Sequence, residues 1–422
     1  MTLDMTTFDA MLKDIYAPGA VENIGYDGNA AFAIIKKRRG KLIGGRKWIQ
    51  PVGTRLTNRG SQTFSVANGA TANESKHDAF EVLRAHHYRV AKLDNETIEA
   101  TGENQEAFEP ALDEIDKCIK AESNWANFRF YRSKGGSIGR MTNTAFATTV
   151  MTVDDPAALW AVSQGDVVTL SAADGNSGAL RAGTLTVASV QHPAPGGVGT
   201  ITFTGNISAG VAAAAANDFL FLEGDFGFTQ GFSPAGLADY VPDNAADAAT
   251  TLFGFDRSVS NLLGGARVDG TSMSISELII DMIAAHTSYA GEYSSGTKTL
   301  FAHPFTLGNL QKQLDGKWVI MQSSSYDGTK NASIGVNAFQ LDHMGIKTNI
   351  VQDRMCPVKR LYMIDLDAWT MFHAGMFPGF LTKKHGTMLK PSETADAWEL
   401  RTGGYLNYVT KSPQCNVVGL VA

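Results

Sequence analysis

Positive and negative charges are kept apart along much of this chain. The residues between Asp27 and Glu74 include no carboxylate and nine basic side chains: Lys36, Lys37, Arg38, Arg39, Lys41, Arg46, Lys47, Arg55 and Arg59. The stretch from Asp94 to Asp116 has no lysine or arginine and nine carboxylates: Asp94, Glu96, Glu99, Glu103, Glu106, Glu109, Asp113, Glu114 and Asp116. The net charge of the whole chain is only -6. Blocks of matched size and opposite sign suggest that one neutralises the other on a neighbouring copy, which predicts a self-assembling protein.

We expect the contact between copies to join the basic block to the middle of the acidic block. The predicted contact residues are Lys36, Lys37, Arg38, Arg39, Lys41, Arg46, Lys47, Arg55, Arg59, Glu103, Glu106, Glu109 and Asp113. Two other interpretations of the basic block stay open. It could bind nucleic acid through the segment 36–59, although only Trp48 and Phe64 are present for stacking on bases. It could also be a charged loop that is merely solvated.

Length and composition indicate a globular chain with more than one domain. Its 422 residues exceed what one compact core usually holds, so two or three domains are expected. Charged residues make up only 18%, which favours burial between subunits. The spacing of Cys118, Cys356 and Cys415 fits neither a disulfide framework nor a zinc site and indicates reduced thiols in an intracellular setting. Neither a signal peptide nor an apolar run of about 18 residues is present, so no membrane association is expected.

Hydrophobic spacing predicts helices and strands in the first third of the chain. A short amphipathic helix is expected around residues 8–16, ending before Pro18. The basic, glycine-rich segment 31–75 shows no stripe of core-facing residues and is predicted to be a protruding loop or hairpin. Residues 79–100 are expected to be extended. A long helix is predicted from Pro110 to about Arg132, with one face formed by Leu112, Ile115, Ile119 and Ala126.

A change in composition marks residues 148–226, where charges become sparse and short alternating runs appear. These runs predict a small antiparallel β domain inserted into the chain, which we expect a short linker could replace. Helices are predicted again after a Ser274–Glu277 capping box and over residues 307–314, closed by Gly316. The last sixty residues are expected to form strands separated by turns at Pro378-Gly379, Gly403-Gly404 and Pro413. The predicted fold class is therefore α+β with an inserted β domain.

The order of these elements resembles the major capsid (coat) protein of tailed bacteriophages. Residues 87–141 carry the resemblance: a strand and an acidic stretch precede a long helix, and the matching positions are Ala107-Phe108, Glu114, Asp116, Asn127, Tyr131 and Gly135-Gly136. The resemblance continues through the β insertion to the C-terminal strands. It implies an N-terminal arm (1–30), an extended basic loop (31–78), a peripheral domain with a long spine helix (79–147), the inserted β domain (148–226), an axial domain (227–390) and C-terminal strands that return to the shell domains (391–422).

The resemblance also implies a structural role without catalysis, cofactor or metal. Such a protein assembles with itself into the hexamers and pentamers of an icosahedral shell, which encloses double-stranded DNA without sequence specificity. Its implied partners are a portal and decoration proteins. Because the chain begins at Met1, we expect the scaffolding protein to be separate. The implied location is the virion, with assembly in the host cytoplasm. Some relatives crosslink their subunits through a lysine and an asparagine, but no such asparagine or catalytic glutamate is identified in this sequence.

Three patterns resemble catalytic or metal sites, but an ordinary structural role is expected for each. Gly135-Gly136-Ser137-Ile138-Gly139 fits the G-x-S-x-G motif of serine hydrolases, which would make Ser137 a nucleophile, but a glycine-rich turn is expected. His286 and His303 are expected to be ordinary histidines, because no metal-ligand spacing accompanies them. Asp365 and Asp367 are expected to be solvated carboxylates rather than an acid/base pair.

Overall fold

The computed structural model confirms the predicted α+β class. The structure describes residues 13, 21, 24–26, 28–40, 47–55, 61–68, 76–94, 109–192, 198–227, 233–243, 251–257, 261–289, 296–314, 338–343, 346–375, 377–381, 389–392 and 395–421. The predicted helix at residues 8–16 and its end at Pro18 therefore lie outside the described residues, apart from residue 13. Within these ranges, no helix is both long and apolar enough to cross a membrane.

Helices and strands alternate irregularly along the chain. The α-helices are α1 (Ala30–Ile34), α2 (Phe64–Asn68), α3 (Glu109–Phe130), α4 (Ile207–Gly210), α5 (Leu237–Tyr240), α6 (Ile275–Tyr289) and α7 (Pro304–Leu314). The strands are β1 (Lys37–Arg39), β2 (Lys47–Arg55), β3 (Lys76–Leu83), β4 (Ala85–Asp94), β5 (Gly139–Arg140), β6 (Val150–Val153), β7 (Val167–Ser171), β8 (Leu185–Gln191), β9 (Gly199–Phe203), β10 (Phe219–Leu222), β11 (Thr251–Leu252), β12 (Phe255–Asp256), β13 (Ala266–Gly270), β14 (Lys298–Ala302), β15 (Ala338–His343), β16 (Ile346–Gln352), β17 (Arg360–Ile364), β18 (Trp369–His373), β19 (Gly379–Phe380), β20 (Leu389–Pro391), β21 (Ala397–Thr410) and β22 (Val417–Val421). Short 3₁₀ helices lie at Pro156–Ala161, Asn261–Leu263 and Pro413–Cys415.

The long helix α3 packs on a sheet built around β21. It extends from Glu109 to Phe130, within two residues of the predicted bounds, and Pro110 occupies its first turn, where a missing N–H costs nothing. Ile115, Ile119 and Ala126 are buried as predicted, while Leu112 is half-buried. Strand β21 pairs with β4 along one edge and with β18, β19 and β20 along the other. Strand and helix together bury one layer of side chains, which gives this part of the molecule its core.

The turn predicted at Gly403-Gly404 is wrong, because β21 continues through both glycines. Gly403 lies opposite Tyr88 of β4 and has φ of +152°, a conformation that favours glycine. A Cβ atom at this position would lie 2.4 Å from the carbonyl oxygen of His87. The glycine therefore allows two strands to approach closely rather than reversing the chain.

A second six-stranded sheet has the order β13-β22-β17-β14-β16-β15 and is covered by α6 and α7. The capping box predicted for α6 is confirmed: Glu277 N–H donates to Ser274 Oγ at 3.3 Å, and Ser274 N–H donates to Glu277 Oε2 at 2.9 Å. Helix α7 ends at Leu314, as its pattern predicts, while Gly316 lies outside the described residues. The expectation of a solvated Asp365 is wrong, since it is buried and accepts from Lys298 Nζ at 2.5 Å.

The inserted β domain forms a sheet with the order β5-β10-β7-β8-β9-β6. The strands predicted from the alternating runs near 166–172, 182–191, 200–205 and 217–225 are all present as β7 to β10. The sheet also includes β5 at Gly139–Arg140, ahead of the predicted start at residue 148. Its interior is continuous with the core below α3, because buried residues of both belong to one hydrophobic cluster. The insertion is thus not packed independently of the rest.

Two ion pairs also tie the C-terminal end of α3 to the insertion. Arg129 is 1% exposed and donates to Asp225 Oδ2 at 2.9 Å, while Arg132 donates to Asp155 Oδ2. Burial lowers the pKa of Arg129, since desolvation disfavours its charged form. Removing the carboxylates would leave two desolvated cations, which is more costly than losing an exposed pair.

We expect the substitution Asp239→Asn to stabilise the protein at neutral pH. Asp239 Oδ2 accepts the N–H of Lys134 at 2.6 Å, just beyond α3, and burial raises the pKa of this carboxyl group to about 6. The folded state therefore binds the proton more tightly than the unfolded state, and the contribution of this carboxyl to stability falls as pH rises from about 4 to about 6. The amide retains an acceptor for Lys134 without the buried charge.

The gain from Asp239→Asn should be about 1 to 2 kcal/mol above pH 6, because partial exposure of the side chain screens part of the effect. Urea unfolding of both proteins from pH 7 down to about 4 measures it. The difference should shrink toward the acid end of this range. A difference that stays constant with pH would show that the carboxyl charge is not its source.

Candidate subunit interface

The start of the basic block belongs to a sheet rather than to a protruding loop. Residues Lys37–Arg39 form β1, which pairs in parallel with β18, and Lys36 lies between α1 and β1. The prediction of a protruding loop or hairpin is wrong for residues 31–39, because buried Phe32 and Ile35 fix the preceding helix against the body of the protein, whereas a hairpin is present further on as β2 and β3. Lys36, Arg38 and Arg39 are exposed. Lys37 is half-buried, with Nζ 3.8 Å from the centroid of the Tyr26 ring, so it interacts within its own chain.

Strands β2 and β3 form a separate two-stranded hairpin that is amphipathic. Trp48, Gln50 and Val52 face inward, and Trp48 stacks on Phe372 of β18 with 5.9 Å between ring centroids. The predicted absence of core-facing residues is therefore wrong. The inward-facing residues Trp48, Gln50 and Val52 alternate along the strand, as in an amphipathic strand. The pattern is hard to recognise in the sequence because Gln50 and Pro51 are not typical residues of a buried strand.

The other face of the hairpin exposes apolar side chains. Ile49 is 42% and Leu83 39% exposed, and Phe64, in the short helix between the two strands, is 82% exposed. Beside them, Lys47 Nζ lies 2.5 Å from Glu81 Oε2 across the two strands, with both side chains exposed. Lys47 therefore has a carboxylate partner in its own hairpin. Exposed apolar side chains on the outer face of a hairpin and in its connection are typical of surfaces that another protein covers.

The described part of the acidic block lies at the N-terminal end of α3. Asp113 is exposed and its Oδ2 is 2.6 Å from Lys117 Nζ one turn later, an interaction that raises the pKa of Lys117. The structure describes only the backbone of Arg55, at the end of β2, and of Glu109, at the start of α3. The other predicted contact residues lie outside the described residues: Lys41, Arg46, Arg59, Glu103 and Glu106. The pairing between copies stays a prediction.

The surroundings of Ser137 do not fit a hydrolase nucleophile. The G-x-S-x-G motif needs a strand before the serine and a helix after it, whereas Ser137 follows α3 and precedes β5. Its carbonyl oxygen accepts a hydrogen bond from Arg129 at 3.1 Å. His286 and His303 are buried, and burial lowers the pKa of His303. Among the described residues, no group of three or more His, Cys, Asp or Glu side chains could hold a metal ion.

A buried carboxylate that the sequence did not indicate lies where several elements meet. Asp353, which follows β16, is 2% exposed and accepts hydrogen bonds from Asn127 of α3, from Tyr131 just after α3 and from the N–H of Ala31 in α1. Asn127 and Tyr131 belong to the pattern behind the sequence resemblance, but Asp353 belongs to no local pattern. Burial raises the pKa of Asp353, while these hydrogen bonds oppose the shift.

Comparison with known proteins gives structural similarities only. No protein-family model matches the chain, and no curated protein sequence matches it. The chain is similar to one in the cyanophage A-1(L) capsid asymmetric unit, with 11% identity, 95% of this chain and 92% of that chain covered, and a TM-score of 0.44. It is similar to one in the satellite phage P4 procapsid that includes the size determination (Sid) protein, with 10% identity, coverage of 99% and 97%, and a TM-score of 0.43. For the capsid of the native GTA particle the identity is 9%, the coverage 92% and 88%, and the TM-score 0.44. All three are structures of capsids or procapsids.

Proposed function

We propose that this protein is the major capsid protein of a tailed phage, which assembles into an icosahedral shell around double-stranded DNA. The observation that carries the proposal is the hairpin β2–β3, whose inner face packs on its own chain while its outer face and tip expose Ile49, Leu83 and Phe64. Exposing such an apolar surface to water is energetically unfavourable, and its burial against another subunit removes this free-energy penalty. The order of hairpin, long helix α3 and inserted β sheet also agrees with the sequence resemblance.

In this proposal the shell consists of hexamers and pentamers of one chain, and the protein is not an enzyme. The hairpin of one copy and its basic neighbours lie against the acidic region near the start of α3 in the next. Its other partners are a separate scaffolding protein, a portal, possible decoration proteins and the packaged DNA, which it contacts without sequence specificity. It assembles in the host cytoplasm and resides in the virion.

Nucleic-acid binding by the segment 36–59 has less support. Lys37 lies against the Tyr26 and Phe32 rings, and Lys47 has Glu81 as its partner. Trp48, one of the two aromatic residues available for stacking, is 1% exposed. A groove that follows a phosphate backbone needs accessible cations and aromatic faces together.

Electron microscopy of the purified protein tests the proposed function directly. Under assembly conditions it should show closed shells or ring-shaped capsomers. A preparation that stays monomeric by light scattering at all concentrations, with and without a polyanion, would contradict the proposal.

We expect Phe64→Glu to prevent or strongly reduce shell assembly while leaving the folded chain intact. Its side chain is 82% exposed in the single chain, so the substitution removes no internal packing, but a charge at a covered position must be desolvated in the interface. Burying a phenylalanine contributes about 1.5 to 3 kcal/mol at each contact, and the contact repeats throughout a shell. Light scattering measures assembly and thermal unfolding measures the fold. Thr63→Glu, in the adjacent exposed position, is the control and should assemble better than Phe64→Glu.

Deleting residues 1–20, which leaves the buried Val21 in place, should give soluble capsomers that do not close. The sequence predicts a short amphipathic helix there, which has apolar residues to bury and too little length to be stable alone. We therefore expect it to pack against another part of the assembly. Negative-stain images of the truncated protein check this, and shells of normal size and yield would refute it.

A further inference from the structure

Helix α1 obtains the hydrogen-bond partners of its first turn from distant parts of the chain. It has only five residues, and the side chain of its N-cap residue, Asn29, makes no capping hydrogen bond. The N–H of Ala31 instead donates to Asp353 Oδ2 at 3.2 Å, and the N–H of Phe32 donates to Asn127 Oδ1 at 2.9 Å. A helix of this length is not stable alone, so these external acceptors help determine whether it forms.

The same two side chains are joined to each other. Asn127 Nδ2 donates to Asp353 Oδ1 at 3.0 Å and to Oδ2 at 2.9 Å, and the Tyr131 hydroxyl donates to Oδ2 at 3.0 Å. The N–H of Met355 donates to Oδ1 at 2.9 Å. Asn127, Tyr131 and Asp353 are each at most 2% exposed. The carboxylate is thus held by neutral donors from α1, from α3 and from its own loop, and each oxygen accepts at least two hydrogen bonds.

The other contacts of residues 28–40 each involve few residues. Strand β1 pairs with β18 over only three residues. Gly28 has φ of +72°, and a Cβ there would lie 3.5 Å from a guanidinium nitrogen of Arg354. Ala31, Phe32 and Ile35 provide the apolar contacts of the segment and are buried in the main hydrophobic cluster. Segments with few hydrogen bonds outside one anchor open separately from the main core.

We propose that Asp353 and Asn127 form a clasp that holds residues 28–40 against α3, and that breaking this clasp opens the segment, including the edge strand β1, while the other strands of the two main sheets stay paired. This conformational device is a property of the single chain and does not depend on the proposed shell. The opened segment includes the exposed cations Lys36, Arg38 and Arg39, so the clasp determines whether these side chains stay fixed on the surface beside β18.

Hydrogen exchange of the unassembled protein tests the clasp through the variant Asp353→Asn. An amide in place of the carboxylate turns an NH₂ group toward at least two donors, while the size of the side chain is unchanged. We expect the amides of Ala31 and Phe32 to exchange at least about tenfold faster, and trypsin to cut faster within residues 36–39. Exchange in α6 and in β7 should stay as in the wild type.

Two further variants make the test specific. Tyr131→Phe removes only one donor to Asp353 and should increase exchange at Ala31 and Phe32 by a smaller factor. Asp218→Asn is the matched control: Asp218 is a 2% exposed carboxylate that binds Arg181 within the inserted domain, so its loss should leave Ala31 and Phe32 unchanged. Equal acceleration over the whole chain in Asp353→Asn, or none at Ala31 and Phe32, would overturn the proposal. If Asp353→Asn does not fold, an unchanged exchange rate at Ala31 and Phe32 in Tyr131→Phe overturns it as well.

Discussion

Replacing residues 148–226 with a short Gly/Ser linker is expected to abolish soluble protein, although the sequence alone suggested a removable domain. Asp155 and Asp225 lie within the replaced segment, whereas their partners Arg132 and Arg129 remain at the end of α3. Breaking a buried ion pair by removing one partner costs about 3 to 5 kcal/mol. Two such losses approach the whole stability of a typical domain, about 5 to 15 kcal/mol. The hydrophobic cluster shared with the insertion would be opened as well.

The contribution of the two arginines can be separated from that of the lost core. The linker variant that also carries Arg129→Met and Arg132→Met removes the unpaired charges and should recover part of the soluble protein. Arg129→Met and Arg132→Met in the full-length chain serve as the control for the substitutions themselves. Soluble yield and circular dichroism measure the outcome. A linker variant that folds as well as the wild type would show that neither the ion pairs nor the shared core is needed.

Reversing the charges of Arg38, Arg39 and Lys41 to glutamate is expected to block assembly. The proposed contact places them near the acidic region of a neighbouring copy, where each exposed pair contributes only about 0 to 1 kcal/mol. Summed over every contact of a closed shell, these small contributions determine whether the shell stays assembled. At 1 M salt the screening length falls to about 3 Å, so wild-type shells should also loosen as ionic strength rises.

A second, compensating charge reversal distinguishes ion pairing between copies from other effects of the first reversal. Adding Glu103→Lys and Glu106→Lys to the same chain should restore part of the assembly, since opposite charges face each other again. Asp113 is left unchanged because Lys117 already neutralises it in the single chain. The control reverses three exposed lysines outside both blocks, Lys312, Lys347 and Lys359, and should assemble. A nucleic-acid site predicts no rescue, and a combined variant no better than the arm variant would refute the pairing between copies.

Local patterns in the sequence were sufficient where an element depends on its own residues. Helix α3 was predicted within two residues because Ile115, Ile119 and Ala126 repeat at helical spacing. Helix α6 was predicted from its Ser274–Glu277 capping box, whose reciprocal hydrogen bonds are present in the structure. The strands of the inserted sheet were predicted from alternation between turns. Among the failures were Gly403, which the sequence marked as a turn, and β1, which it marked as a loop or hairpin.

The candidate interface was predicted only in part, for a similar reason. The sequence identified the two charge blocks and the resemblance, but it did not indicate that Lys47 has Glu81 as a partner or that Phe64 is exposed at the tip of an amphipathic hairpin. Register between β2 and β3 brings Lys47 to Glu81, and nothing in either strand alone reveals this partner. Phe64 lies in α2, so its exposure depends on how the segment between the strands packs.

By itself, the sequence determined the fold class, the long helix α3, the strands of the insertion and the separation of charge, because each depends on residues that are neighbours along the chain. Only the tertiary structure decided the parallel pairing of β1 with β18, the passage of β21 through Gly403, and the contact of Asn127 with Asp353, 226 residues away. These contacts form because folding brings distant segments together in a dry interior, where a carboxylate or an arginine must find a partner. That requirement depends on burial, which no local pattern of residues records.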